Sequence, residues 1–312
     1  MVMRAPSDWV LPGQLVEVRG SADIAATLDV SGRLDGMPFM PEMARYCGGR
    51  FRVARTADTT CVEGLGMRRL STTVFLTGLR CDGAAHDGCQ RSCLMFWKEA
   101  WLKPVEADEA TRPGAGDAPE LQHLSTRDGD RYTCQSTGLA KATTPMSRWD
   151  VSPLITQLRR GEIGYDRFAL ILARMVVNRA RKLIGWRELG FLAGTGRKHA
   201  KGNLGLRDGE MVLVRSAAEI SQSLDATGRN NGLTFEPDML ALSGRCLRVG
   251  PPIRKMIHEE TGKMIELTST VALDGVLCSG LHARNCPRAN PLFWREAWLK
   301  RSETEVTAPK IP

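Results

Sequence analysis

Apolar and polar positions alternate over Leu15-Val16-Glu17-Val18-Arg19, just after Gly13, and the same alternation returns at Met211-Val212-Leu213-Val214-Arg215 after Gly209. A period of two launched by a glycine predicts a half-buried strand in each place. The period then lengthens. Ile24 and Leu28, like Ile220 and Leu224, are spaced to bury one face of a short helix, with Ser21 and Ser216 as N-caps. The Asp-x-x-Gly-Arg segments at Asp29 and Asp225 predict turns. Further strands are expected at 51–55 and 247–249, and at 73–79 and 269–277. A closing strand is expected over FWKEAWL and FWREAWL, with Glu99 and Glu296 on its outer face or, alternatively, as buried acids.

These patterns are one pattern written twice. Residues 13–43 return as 209–239 with 14 of 31 positions identical, and 78–103 return as 275–300 with 12 of 26 identical. That likeness marks a duplication, so the chain serves as its own two-member alignment. The segmentation that follows is an N-terminal arm (1–12), a first repeat (13–105), a flexible linker rich in Pro, Ala and Gly (106–124), a helical connector (125–208), a second repeat (209–302) and a tail (303–312). Each repeat, with four or five short strands and one helical turn, predicts a small SH3-like barrel. The fold class expected is therefore mainly β with a helical insert, and a two-layer α+β sandwich is the rival.

In the connector, Ser152-Pro153 predicts a helix start and Gly161 its stop. A longer amphipathic helix is expected over 165–184. Phe168, Ile171, Leu172, Met175, Val176 and Leu183 lie on one face, and Arg167, Arg174, Asn178 and Arg181 on the other. Such a helix either packs against the repeats or docks on a membrane surface or a partner. The basic, glycine-rich stretch 194–206 lacks the order of a P-loop.

Hydrophobic residues at 42% and charged residues at 25% of 312 are ordinary for a folded chain. A net charge of +8 suits an anionic partner such as nucleic acid, phospholipid or a phosphorylated substrate. No run of five Lys or Arg concentrates it, and solubility accounts for it equally well. No signal-peptide pattern opens the chain and no stretch is apolar enough to span a bilayer, which points to the cytoplasm.

Nine cysteines without a secretion signal point to metal binding or thiol chemistry. Cys81, Cys89 and Cys93 are spaced C-x7-C-x3-C, with His86 inside the first interval and Cys61 ending the preceding loop. Thiolates from turns beside strands can converge on a soft metal. Zinc sites favour close C-x2-C pairs, absent here, so the spacing favours an iron–sulfur cluster, [4Fe–4S] in particular, with zinc the alternative. Cys134 is either a free thiol or a distant ligand to the same cluster. In the second repeat Cys278 and Cys286 are kept, Cys93 becomes Asn290, and Cys61 falls at Ile257 or His258. His258, Cys278, His282 and Cys286 form a mixed ligand set there, or the copy has lost its metal and kept the scaffold. Cys47 and Cys246 do not align and are expected to be packing residues. No nucleophile elbow, His-Glu-x-x-His pair or dinucleotide fingerprint occurs, so whether the chain is an enzyme stays open.

The Gly-x-x-Val-x-Val openings at Gly13 and Gly209 resemble those of KOW-type SH3-like barrels, which implies RNA or protein binding. Over its full length the chain is similar to uncharacterised bacterial proteins with two such repeats, marked by the cysteine loop and the Trp-Lys/Arg-Glu-Ala-Trp-Leu segment. That resemblance implies an architecture and no activity. Three readings stand: a cytoplasmic iron–sulfur protein acting in redox chemistry or substrate activation in a bacterial pathway, with a protein or small-molecule partner; a zinc-stabilised tandem barrel binding protein or RNA; and a peripheral membrane accessory protein docked by 165–184.

Overall fold

A computed structural model describes residues 7–106, 110–114, 116, 118–121, 123–194 and 202–302. Parts of the expected linker (107–109, 115, 117 and 122), residues 195–201 of the glycine-rich stretch, the first six residues of the arm and the tail 303–312 lie outside the described residues. The chain forms two units. The first comprises Met1–Leu172 with Lys255–Ile265 and Ser279–Asn290; the second comprises Ala173–Arg254, Glu266–Cys278 and Pro291–Pro312. Two segments of the second repeat thus belong to the first unit, and the sequence repeats do not coincide with the structural units.

The first unit contains strands β1 (Leu15–Val18), β2 (Arg50–Thr56), β3 (Thr59–Val62), β4 (Gly66–Arg69), β5 (Thr73–Arg80), β6 (Leu94–Lys98), β7 (Leu102–Pro104) and β8 (Thr144–Pro145). Its helices are α1 (Ser21–Ala25), α2 (Pro41–Ala44), α3 (Gln135–Ala142) and α4 (Ser152–Arg159). The second repeat supplies β9 (Met211–Val214), β10 (Cys246–Pro252), β11 (Lys255–Ile257), β12 (Met264–Glu266), β13 (Thr270–Leu277), β14 (Pro291–Arg295) and β15 (Leu299–Arg301). The architecture is mainly β. Each unit holds a curled, antiparallel half-barrel of five strands, in the orders β6-β5-β2-β1-β7 and β14-β13-β10-β9-β15. Even the registers repeat: Val16 faces Phe51 and Val18 faces Leu102, as Val212 faces Leu247 and Val214 faces Leu299.

The closing segments are not single strands as expected. Each is a strand, a single 3-10 turn (Glu99–Trp101, Glu296–Trp298) and a second strand that pairs with the opening one. The turn rotates the second tryptophan inward. Phe39 meets Trp97 and Trp101 edge-on at 6.2 and 5.1 Å between ring centres, and Phe235 meets Trp294 and Trp298 at 6.2 and 5.3 Å. Such edge-to-face packing brings the positive ring edge to the negative ring face. The turn also decides between the two expectations for Glu296. It is buried, not on an outer face, and its carboxylate accepts the backbone N–H groups of Gly205 at 3.0 Å and Leu206 at 3.1 Å. Glu99 accepts the N–H of Ser7 at 3.1 Å.

Local signals were met unevenly. Ser216 caps its helix (Ala217–Ser223) reciprocally with Glu219, whereas Ser21 is already the first residue of α1 and Gly20 stands at the cap. Asp29 and Asp225 both hold their turns by accepting backbone N–H groups two and four residues on. The long helix runs Tyr165–Leu183, but of its expected apolar face Ile171 alone is buried, while Val176 and Leu183 are exposed. Cys47 lies in the core, and Cys246, expected to pack, is exposed. Among the described residues, no helix is long and apolar enough to cross a membrane.

Phe235→Ala removes the ring that Trp294 and Trp298 both pack on, and a loss of about 3–5 kcal/mol of stability is expected. Chemical denaturation followed by tryptophan fluorescence measures it; a change under 1 kcal/mol would contradict this account of the core.

Candidate metal centre

The loop from Cys81 to Cys93 joins β5 to β6 and folds back on itself. His86 and Gly88 donate their backbone N–H groups to the Gly83 carbonyl at 2.9 Å each, and the Cys81 N–H closes the base on the Cys93 carbonyl at 2.9 Å. Gly83 has a φ of +70°, and a Cβ there would collide with the carbonyl of Cys89. The requirement is therefore both conformational and steric. Gly280 plays the same part in the second copy, at φ +72° against Cys286.

Cys134 reaches this loop through its neighbour. Gln135 opens α3 with its side chain buried. Its amide oxygen accepts the Phe96 N–H at 2.8 Å, and its amide nitrogen donates to the Phe96 carbonyl at 2.7 Å and the Pro38 carbonyl at 3.2 Å. One side chain thus stitches the start of α3 to β6, the strand that follows Cys93. Cys134 takes the N-cap position, its N–H bonded to Thr137 Oγ1 at 3.0 Å.

Cys81, Cys89, Cys93 and Cys134 line one cavity. It encloses about 460 Å³ between atoms, open water included, and Met40, Leu94, Phe96 and Ile257 supply apolar wall. Among the described residues no three of these thiols lie within 4.8 Å of one another. A tetrahedral zinc with bonds of about 2.3 Å draws its sulfurs to about 3.8 Å apart, whereas a cubane several atoms across keeps its ligands spread. The four thiols are thus set wider than one zinc ion takes them, while Glu42, Cys81 and His86 offer ligand atoms within 4.8 Å of one another, close enough for a single ion; either arrangement suits a cation.

Electrostatics point the same way. Burial pushes the Cys81 thiol well above its ordinary range, and the charge of Glu42 adds to this. Burial raises Cys134 to about 11 despite the Thr137 hydrogen bonds, with Cys93 and Cys89 adding repulsion, and burial also raises Cys89. Cys81, Cys89 and Cys134 thus resist ionising one by one, a resistance that a cation among them would relieve.

His86 lines the cavity, but both ring nitrogens are engaged, Nδ1 with Glu42 Oε1 at 2.6 Å and Nε2 with the Thr133 carbonyl at 3.0 Å. Burial works against both charges of this pair. The hydrogen bond and the opposite charge outweigh it, raising His86 and lowering Glu42. The same Glu42 oxygen lies 3.8 Å from the Cys81 sulfur, while its Oε2 is buried with no hydrogen-bond partner. The pair stands beside the Cys81 thiol as a proton-holding neighbour.

The remaining residues singled out by sequence lie elsewhere. Cys61, on β3, is not with Cys81, Cys89 and Cys93; its sulfur sits 3.2 Å from that of Cys286. His258 faces Glu63 at 3.5 Å and Thr261, not Cys286. Cys278 belongs to the second unit and His282 to the first. What brings Cys286 to Cys61 is a reciprocal exchange within the first unit. Cys89 accepts the Ile257 N–H at 3.3 Å while Arg91 donates to the Ile257 carbonyl at 3.1 Å. Cys286 accepts the Cys61 N–H at 3.2 Å while Arg288 donates to the Cys61 carbonyl at 3.0 Å. Each copy's loop is held by the other copy's strand, β11 for the first loop and β3 for the second. Glu259 and Arg288 meet at the centre in a bidentate pair at 3.1 and 2.7 Å, and Ser136 links Arg288 (2.8 Å) to Cys93 (3.6 Å).

Glu42, Gln135, Ser136, Glu259 and Arg288 were not singled out from the sequence. For three of them the duplication carries a signal: Glu42 recurs as Asp238, Glu259 repeats Glu63, and Arg288 repeats Arg91. Gln135 and Ser136 lie outside the repeats and leave none.

Gly83→Ala should break the loop, lowering the melting temperature and making Cys89 alkylate faster than in the parent. Gly78→Ala, at φ +78° but with nothing within 4 Å, should cost only the conformational term of about 1–2 kcal/mol. Equal effects of the two substitutions would remove the steric argument. Comparison with family models, with curated proteins and with solved structures finds no match for this chain.

Proposed function

We propose that this chain is an iron–sulfur protein in which Cys81, Cys89, Cys93 and Cys134 hold a [4Fe–4S] cluster. The observation that carries the reading is the shared cavity: four thiols from two separate segments line it, spaced too widely for a single zinc ion. When bound, such a cluster supplies one-electron transfer.

The chain's own residues do the rest. Met40, Leu94, Phe96 and Ile257 keep water from the ligands, and a less solvated cluster is harder to charge further. The Ile257 N–H on Cys89 stabilises negative charge on that sulfur. His86 and Glu42 hold a proton next to Cys81, so a change in electron count there can be matched by a local change in protonation. The half-barrels support an SH3-like reading, and on its motifs we group the chain with the two-repeat bacterial proteins that its sequence resembles. We place the protein in the cytoplasm, where thiol ligands stay reduced.

Protein purified without oxygen should be brown, with broad visible absorption and about four iron and four sulfide per chain. Cys134→Ser should abolish or markedly reduce the iron content, whereas Cys61→Ser should leave it unchanged. Colourless protein with one zinc, or iron lost equally in both variants, would overturn the ligand assignment.

A further inference from the structure

We propose that Cys61 and Cys286 form a second thiol site, a redox-active dithiol that closes to a disulfide when a hydroperoxide oxidises it. The inference does not rest on the cluster, since neither residue lines that cavity.

The argument begins with the exchange of segments. The two loop cysteines Cys89 and Cys286 occupy equivalent positions, and each accepts a backbone N–H from the other copy's strand. The residue offering that N–H is Ile257 in one case and its counterpart Cys61 in the other. The geometry that sets an isoleucine against Cys89 therefore sets a thiol against Cys286, with the sulfurs 3.2 Å apart. A disulfide needs about 2.05 Å, so closure asks for a movement of roughly 1 Å. Core packing alone needs no thiol at position 61, as Ile257 demonstrates.

The surroundings favour one sulfur as the reactive partner. The Cys286 sulfur accepts the Cys61 N–H, and the hydrogen bond shared with the Cys61 thiol outweighs burial, with the Arg288 amide and charge adding to it, so the Cys286 thiol is held below its ordinary value. The Cys61 thiol is raised in turn by that hydrogen bond and by burial. Cys286 is 3% exposed and Cys61 half-buried, so the pair is approached from the Cys61 side and admits a small oxidant in preference to a bulky disulfide.

The chemistry balances. The Cys286 thiolate attacks one peroxide oxygen, the O–O bond breaks, and the other oxygen leaves with a proton as water or alcohol, giving a sulfenic acid. The Cys61 sulfur then attacks the sulfenic sulfur. An S–S bond forms, the S–O bond breaks, and hydroxide leaves with the Cys61 proton as water. Two electrons pass from the thiols to the peroxide. A dithiol reductant reverses the step by exchange.

The test uses the full chain, reduced and then titrated with hydrogen peroxide. It is alkylated, cut with trypsin and read by mass spectrometry without reduction. Peptides 56–68 and 285–288 each contain a single cysteine, so a link between them is unambiguous. That link should appear at about one molar equivalent of peroxide and vanish with dithiothreitol. It should form both in protein carrying metal and in protein freed of it, which separates its failure from that of the cluster. Cys61→Ser should instead leave Cys286 as a sulfenic acid trapped by dimedone. Recovery of both wild-type peptides alkylated while other cysteines oxidise, or linkage of Cys286 to a different cysteine, would overturn the proposal without recourse to a variant.

Discussion

The buried pair of Glu259 and Arg288 is the constraint on which the first unit depends. Both side chains are nearly sealed from water, and a charge in that position is tolerated only with its hydrogen bonds complete. Here they are complete. Arg288 spans both carboxylate oxygens, the Ser136 hydroxyl and the Cys61 carbonyl, and Glu259 also accepts the Glu63 N–H at 3.0 Å. Removing one member of such a pair strands the other, at a cost of about 3–5 kcal/mol. The pair thereby fixes the exchange by which each loop rests on the strand of the other copy. It also makes the first repeat incomplete by itself: the wall at Ile257 and the N–H that reaches Cys89 both come from more than 160 residues further along the chain.

That dependence explains why the thiol cavity is so apolar. A loop closed only by its own backbone would leave the sulfurs open to water, where each could ionise near its ordinary pKa. With β11 across it and α3 at its side, the cavity penalises isolated thiolates at Cys81 and Cys134. Glu42 intensifies this. Its charge disfavours a bare thiolate at Cys81, and the hydrogen bond to His86 keeps that charge in place.

Much of this was legible in the sequence, for identifiable reasons. The opening strands and the Asp29 and Asp225 turns depend on residues close together in the chain, and local periodicity records them. The cysteine loop was legible because spacing and a polar setting announce it. Cys61 was not. Alignment of the copies placed it at Ile257 or His258, and even the Ile257 register does not reveal that a strand serves the opposite copy's loop. Exchange leaves every local pattern intact and changes only which copy is the partner. Cys134 could be read only as either a free thiol or a distant ligand, for a related reason. The contact runs through the Gln135 amide, which imitates a strand's hydrogen bonds to Phe96, and no periodicity marks such a side chain. The 3-10 turn inside FWKEAWL was missed because its aromatic spacing satisfies a strand equally well.

The duplication thus kept symmetry in the backbone and gave it up in the sulfur chemistry. The glycines at 83 and 280, the loop hydrogen bonds and the arginines at 91 and 288 recur in both copies. The first loop adds Cys93 and meets Cys134, gaining a four-thiol cavity; the second has Asn290 in place of Cys93 and meets Cys61, gaining a pair. The two sites are not independent. Ser136 contacts Cys93 on one side and Arg288 on the other, and Arg288 holds the carbonyl of Cys61. A change of charge on Cys93 is therefore felt by the guanidinium that helps set the acidity of Cys286. Coupling of this kind needs no movement of the backbone, because the positive charge of Arg288 is shared between the negative charges on both sides.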